Sequence, residues 1–188
     1  MQINLTWDLF VIVFFTIIIA YTFILGRNQS VKIIIGSYIA ILTADGIGNL
    51  LERYFMGDKP IIRIWQTPAE GTSLIILKII IFILTIVLIT TRGKFQINMG
   101  NSSSPIFRLM MTFAYGILSA GLITSTIFIY ASGTSLVQES STIMNEAMMT
   151  IYKQSQLVRL MINNYNVWFS LPAIAFVVSS FFGDDQQA

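Results

Sequence analysis

The sequence contains no cysteine and no histidine in its 188 residues. Without thiols there can be no disulfide, thiolate nucleophile or iron–sulfur cluster, and without imidazoles the usual zinc sites go too. A proton relay through histidine is excluded on the same ground. Charge is the next shortage. Asp, Glu, Lys and Arg make up 11% of the chain, against about 25% in soluble domains. The net charge is only +2, and no basic stripe or RNA-binding aromatic motif is present, so nucleic acid is not an expected partner. H-E-x-x-H, P-loop, G-x-S-x-G and dinucleotide-binding patterns are all missing. Adjacent carboxylates occur only at Asp184 and Asp185. The chain therefore offers no catalytic residue, metal ligand or cofactor site, and a non-enzymatic protein is expected.

What the sequence has instead is apolar surface. It is 55% hydrophobic with a mean hydropathy of +0.74, the composition of an integral membrane protein. A spanning helix needs roughly 20 mainly apolar residues, and four segments qualify, at about 7–25, 31–51, 73–91 and 106–132. The first could be read as a signal peptide, but no basic residue precedes it and no small-x-small site follows, so a retained span is expected. These segments are rich in Ile, Val, Phe and Thr, which would favour strands in water. In lipid the backbone must satisfy its own hydrogen bonds, and helix wins. Barrel-type alternation is absent.

Residues 26–30 read as a tight turn, which makes the first two helices antiparallel neighbours. Residues 52–71 hold Tyr54, Phe55, Trp65, Pro60 and Pro68, a density of aromatics that fits a segment at the lipid–water interface. Residues 93–105 form a polar connector. The expected division is a four-helix transmembrane domain at 1–133 and an amphipathic tail at 134–188. In the tail, Leu136, Ile143, Ala147, Ile151, Val158, Met161 and Tyr165 share one helical face over 136–164. Residues 168–182 contain Pro172 and are short for a span, so a half-inserted or surface helix is expected there ahead of a fifth span. The fold class is thus all-α. Asn4, Asn28 and Asn101 begin N-x-S/T triplets, but they fall on both sides of the membrane in this arrangement and read as chance occurrences.

Orientation follows from charge, because short loops rich in Lys and Arg stay cytoplasmic. The first and third connections carry Arg27, Lys32, Arg92, Lys94 and Arg108 without an acid. On the other side, Arg53, Lys59 and Arg63 are diluted by Glu52, Asp58 and Glu70. Both ends of the chain are then expected outside the cytoplasm.

Two charges interrupt the apolar segments. Asp45 lies six residues before Leu51, and Lys78 six residues after Thr72. At about 1.5 Å per residue both sit roughly 9 Å in from the same side. An intramembrane charge usually faces the bundle and pairs, so an Asp45–Lys78 ion pair is expected. The sequence equally permits Lys78 to snorkel to the interface and Asp45 to mark an early end of its span, with "DGIGN" as a loosened last turn. Small residues are the second signal. Gly36, Ala40, Ala44 and Gly48 recur every four residues, and Gly116 and Ala120 repeat the pattern beside Ser119 and Gly121. Such ridges let helices approach closely, within one subunit or between copies of a homo-oligomer.

Several stretches resemble the colicin V production protein family. "TWDLFVIV" at 6–13 is similar to its opening, "GRNQSVKIIIGSYIAIL" at 26–42 to its turn into span two, and "FRLMMTFAYGILSAGLITSTIFIY" at 107–130 to its Arg-led fourth span. "KQSQLVRL" at 153–160 resembles a serine-containing segment of its tail. The chain departs from the family at Phe107, where an acid often stands, and at Ser119 and Ala120, which replace a glycine. The resemblance implies a four-span protein of the bacterial inner membrane with a role in envelope homeostasis or export, and it brings no catalytic residue. Two other classes remain open. One is an oligomeric channel or carrier subunit with Asp45 and Lys78 near its path. The other is an accessory subunit that docks a protein partner through its tail. In each case the lipid bilayer is the first partner.

Overall fold

A computed structural model describes residues 7–55, 70–94, 105–134 and 146–181. The described residues form seven helices: α1 (Trp7–Leu25), α2 (Arg27–Phe55), α3 (Glu70–Arg92), α4 (Pro105–Ala131), α5 (Glu146–Gln154), α6 (Gln156–Asn163) and α7 (Tyr165–Phe181). The first four are long and apolar enough to cross a bilayer. Most of the interfacial connection read at 52–71 lies outside the described residues, as do Leu136 and Ile143 of the tail.

The β-branched and hydroxyl side chains are accommodated as lipid requires. Buried Ser37 and Thr126 donate to the Ile33 and Leu122 carbonyls one turn back, at 2.8 and 2.7 Å. Each hydroxyl thus brings no unmet hydrogen bond into the core. The turn expected over 26–30 contracts to one residue. Gly26 takes φ +78° and donates its N–H to the Thr22 carbonyl at 2.8 Å, while Asn28 already belongs to the first turn of α2. Only glycine adopts that backbone without strain.

Helix α2 lies between α3 and α4, while α1 touches α2 but rests chiefly on α4. The antiparallel contact between α1 and α2 expected from the short turn is present but is the smaller of the two. Thr22 of α1 packs directly on Gly116 of α4, its Cβ 3.4 Å from where a Cβ at residue 116 would stand. The main core joins Val31, Ile34 and Ile41 of α2, Phe82 of α3, and Leu122 and Tyr130 of α4. Phe82 and Tyr130 meet edge to face with centroids 6.0 Å apart. The outer faces of α1 and α3 are left to lipid, as exposed Ile17, Ile24, Ile80 and Leu84 show.

The tail is less regular than its periodicity implied. The amphipathic run breaks at Ser155, which caps α6 in an extended conformation (φ −115°, ψ 124°). The break shifts the helical phase. Met148, Val158 and Met161 are buried, whereas Ala147 and Tyr165, placed on the apolar face by a continuous helix, are exposed. Nor is the tail a separate layer. Val158 and Met161 pack with Val11 and Phe128, and Phe169, Ala175 and Phe176 pack on the main core. The last helix, α7, packs alongside α4 and begins at Tyr165 rather than Trp168.

Candidate functional site

The two embedded charges meet. Helix α2 continues past Asp45 to Phe55, so "DGIGN" is regular helix and not a frayed end. Helix α3 runs antiparallel beside it, with Ile89 opposite Gly36 and Lys78 opposite Gly48. That register puts the Lys78 Nζ 3.6 Å from the Asp45 Oδ1. The amine also donates to the Asn49 Oδ1 at 3.3 Å. Gly48 makes the approach possible, because a Cβ there would overlap the lysine stem, with Cγ only 2.8 Å away. The stem lies flat across the α2 surface and its amine reaches back one turn to the acid.

The pair is enclosed from the third side by Tyr130, next to last in α4. Its hydroxyl lies beside Asp45 and donates to the Ile41 carbonyl at 3.2 Å. Asp45 is 1% exposed. The Lys78 amine and the Tyr130 hydroxyl are the groups that compensate its carboxylate. The depth differs from the sequence estimate. Asp45 lies ten residues from the end of α2, about 15 Å, yet level with the end of α4. The pair sits level with the start of α1 and the end of α4, while α2 and α3 run on past it.

The small residues are used for packing inside the chain. Ala40, Ala44 and Ala120 are fully buried. Gly36 admits Ile89, whose Cγ2 is 3.2 Å from a would-be Cβ. Gly116 admits Thr22, and Gly121 admits the Trp168 ring.

Asn49 and Tyr130 were not singled out from sequence. Asn49 lies one turn beyond Asp45 on α2, and that i, i+4 spacing was the available signal. Two further polar links were missed because each joins distant parts of the chain. The Asp8 Oδ1 accepts from the Ser155 Oγ at 2.6 Å and from the Leu157 N–H at 2.9 Å. The Lys32 Nζ, 8% exposed as a residue, donates to the Gly93 carbonyl at 2.5 Å and so closes the C-terminal end of α3. Among the described residues no three His, Cys, Asp or Glu side chains gather as a metal site would need.

Fold and site together define an all-α multi-pass membrane protein with, among the described residues, one buried ion pair. No family model matches the chain, and neither the curated proteins nor the solved structures contain a significant match.

Proposed function

We propose that this is a non-enzymatic multi-pass membrane protein of the cell envelope, acting as a scaffold in homeostasis or export as its resemblance to the colicin V production family implies. The observation that carries this reading is the internal neutralisation of the embedded charges. Lys78 is held flat between Asp45 and Asn49, inside a core closed by Phe82 and Tyr130, so the charges hold helices together. The resemblance implies a bacterial cytoplasmic membrane, and the distribution of charge supports having the Lys32–Gly93 end inside. Lys32, Arg92 and Lys94 gather there, whereas at the opposite end Arg53 stands beside Glu52 and Lys78 is paired with Asp45, in accord with the positive-inside rule.

The test is reconstitution of the purified protein in liposomes, beside deletion of its gene in the source cell. The expected result is no ion flux above protein-free vesicles. The deletion should sensitise the envelope, and both the wild type and the Asp45→Asn/Lys78→Met double variant should correct it. One observation favours a second reading, a channel or carrier subunit: a buried carboxylate, Asp45, lies beside an amine and a hydroxyl, those of Lys78 and Tyr130. Flux that is present in the wild type and lost in Asp45→Asn would establish that reading and overturn the scaffold.

A further inference from the structure

One hydrogen bond gathers three cations. The Lys32 Nζ donates to the Gly93 carbonyl, and Gly93 stands between Arg92 and Lys94 in the chain. Lys32 is buried, whereas Arg92 and Lys94 are exposed. The apolar run of α3 ends at Arg92, so both exposed cations lie where hydrocarbon gives way to lipid headgroups. Below Arg92 the same side of α3 is apolar. Leu88, Leu84 and Ile80 follow it at four-residue steps, and all three are exposed. A cation above a greasy stripe is the outline of an amphiphile whose head is negative.

Among the described residues, neither Arg92 nor Lys94 makes an ion pair, and no carboxylate belongs to this end of the bundle. Asp8 and Glu70 open α1 and α3 at the far end. Asp45 and Glu52 lie in the far half of α2. Glu146 opens α5, whose Met148 packs with Val11. Like charges on neighbouring residues repel, and at a membrane surface the phosphate of an anionic lipid is the nearest answer to them. Lys32 removes an obstacle to that answer. By taking up the Gly93 carbonyl it covers the negative end of the α3 dipole, which would repel an anion. The start of α2 at Arg27 brings the positive end of a second dipole to the same side of the bundle.

We propose that Arg92 and Lys94 form a docking site for the headgroup of an anionic phospholipid, and that Lys32 is the positioning residue that fixes them. The Arg92 guanidinium takes two phosphate oxygens at once, and the Lys94 ammonium adds a point charge beside it. The acyl chains lie along Leu88, Leu84 and Ile80. The site does not depend on the scaffold reading, since a channel subunit could hold the same lipid. Nor does it depend on which face is cytoplasmic, because the chemistry is that of the headgroup alone.

The test uses the full chain in neutral detergent, mixed with equal amounts of phosphatidylglycerol and phosphatidylcholine and read by native mass spectrometry. The wild type should retain the anionic lipid in preference. Arg92→Gln and Lys94→Gln should each weaken that preference about fivefold, the share of one basic residue near an anionic surface, and the double variant should abolish it. Both positions are exposed, so unfolding midpoints without lipid should match wild type. Lys32→Met should weaken the preference and Lys32→Arg restore it. Arg53→Gln, exposed at the opposite rim, should leave it unchanged. A preference that survives in the double variant, or falls equally in Arg53→Gln, would overturn the site. Thermal stabilisation by inorganic phosphate as large as that by phosphatidylglycerol would overturn the lipid as its occupant. A preference that emerges only in Asp184→Asn/Asp185→Asn would give the place to the chain's own acids instead.

Discussion

Asp8 and Ser155, 147 positions apart in the chain, share a hydrogen bond of 2.6 Å. The same aspartate accepts from the Leu157 N–H, and Ser155 accepts from the Val158 N–H at 3.0 Å. The start of α1 thus helps to cap α6. Ser155→Ala should lower stability by about 1 kcal/mol, the ordinary loss of an N-cap. Asp8→Ala should destabilise the same helix, and the double variant should cost less than the two added together. Thermal unfolding in detergent gives the cycle, and faster amide exchange confined to α6 would locate it.

The Asp45–Lys78 pair makes a second prediction. Removing one member strands the other, a loss of about 3–5 kcal/mol for a fully buried pair, toward the low end here because Lys78 is 12% exposed. Asp45→Asn and Lys78→Met should each destabilise, and together they should recover much of the loss. Two single variants that unfold like wild type would remove the pair from any structural role.

Glycines on the same bundle should respond in opposite directions to added bulk. Gly121→Ala drives a methyl into the Trp168 ring, a rigid neighbour, and should cost about 1–3 kcal/mol. Gly46 has nothing within 4 Å of its would-be Cβ, so Gly46→Ala should stabilise by about 0.5–1 kcal/mol through helix propensity alone. Unfolding midpoints of the two variants against wild type decide it.

Two tyrosines reach across to α7. Tyr38 donates to the Phe169 carbonyl, close to Pro172, and Tyr115 donates to the Ala175 carbonyl at 3.2 Å. Hydrogen bonds between membrane helices are worth about 0.6 kcal/mol on average. Tyr38→Phe and Tyr115→Phe should each lower stability by roughly that amount, with added exchange in α7 as the local readout.

The four long helices were legible because 18 or more residues of high mean hydropathy with at most two charges leave the backbone no other choice in lipid. The tail was harder. Its periodicity was real, but one serine, capped from a residue at the other end of the sequence, divided the helix and rotated its second half. Asp45 and Lys78 could be matched in depth because their spans are consecutive. Tyr130 could not, since nothing local ties the end of α4 to the middle of α2. Gly121 was visible as a small residue, but its tryptophan was not, because a contact across 47 positions leaves no trace in either segment alone.

Gly26 is the whole of the connection between α1 and α2. An inserted residue would have no loop to absorb it and would have to turn α1 by about 100° about its axis. Thr22 would then swing out of the notch at Gly116, and the Asp8 end would leave Ser155. A link one residue long keeps the first helix in phase with two distant segments, so its length matters as much as its chemistry.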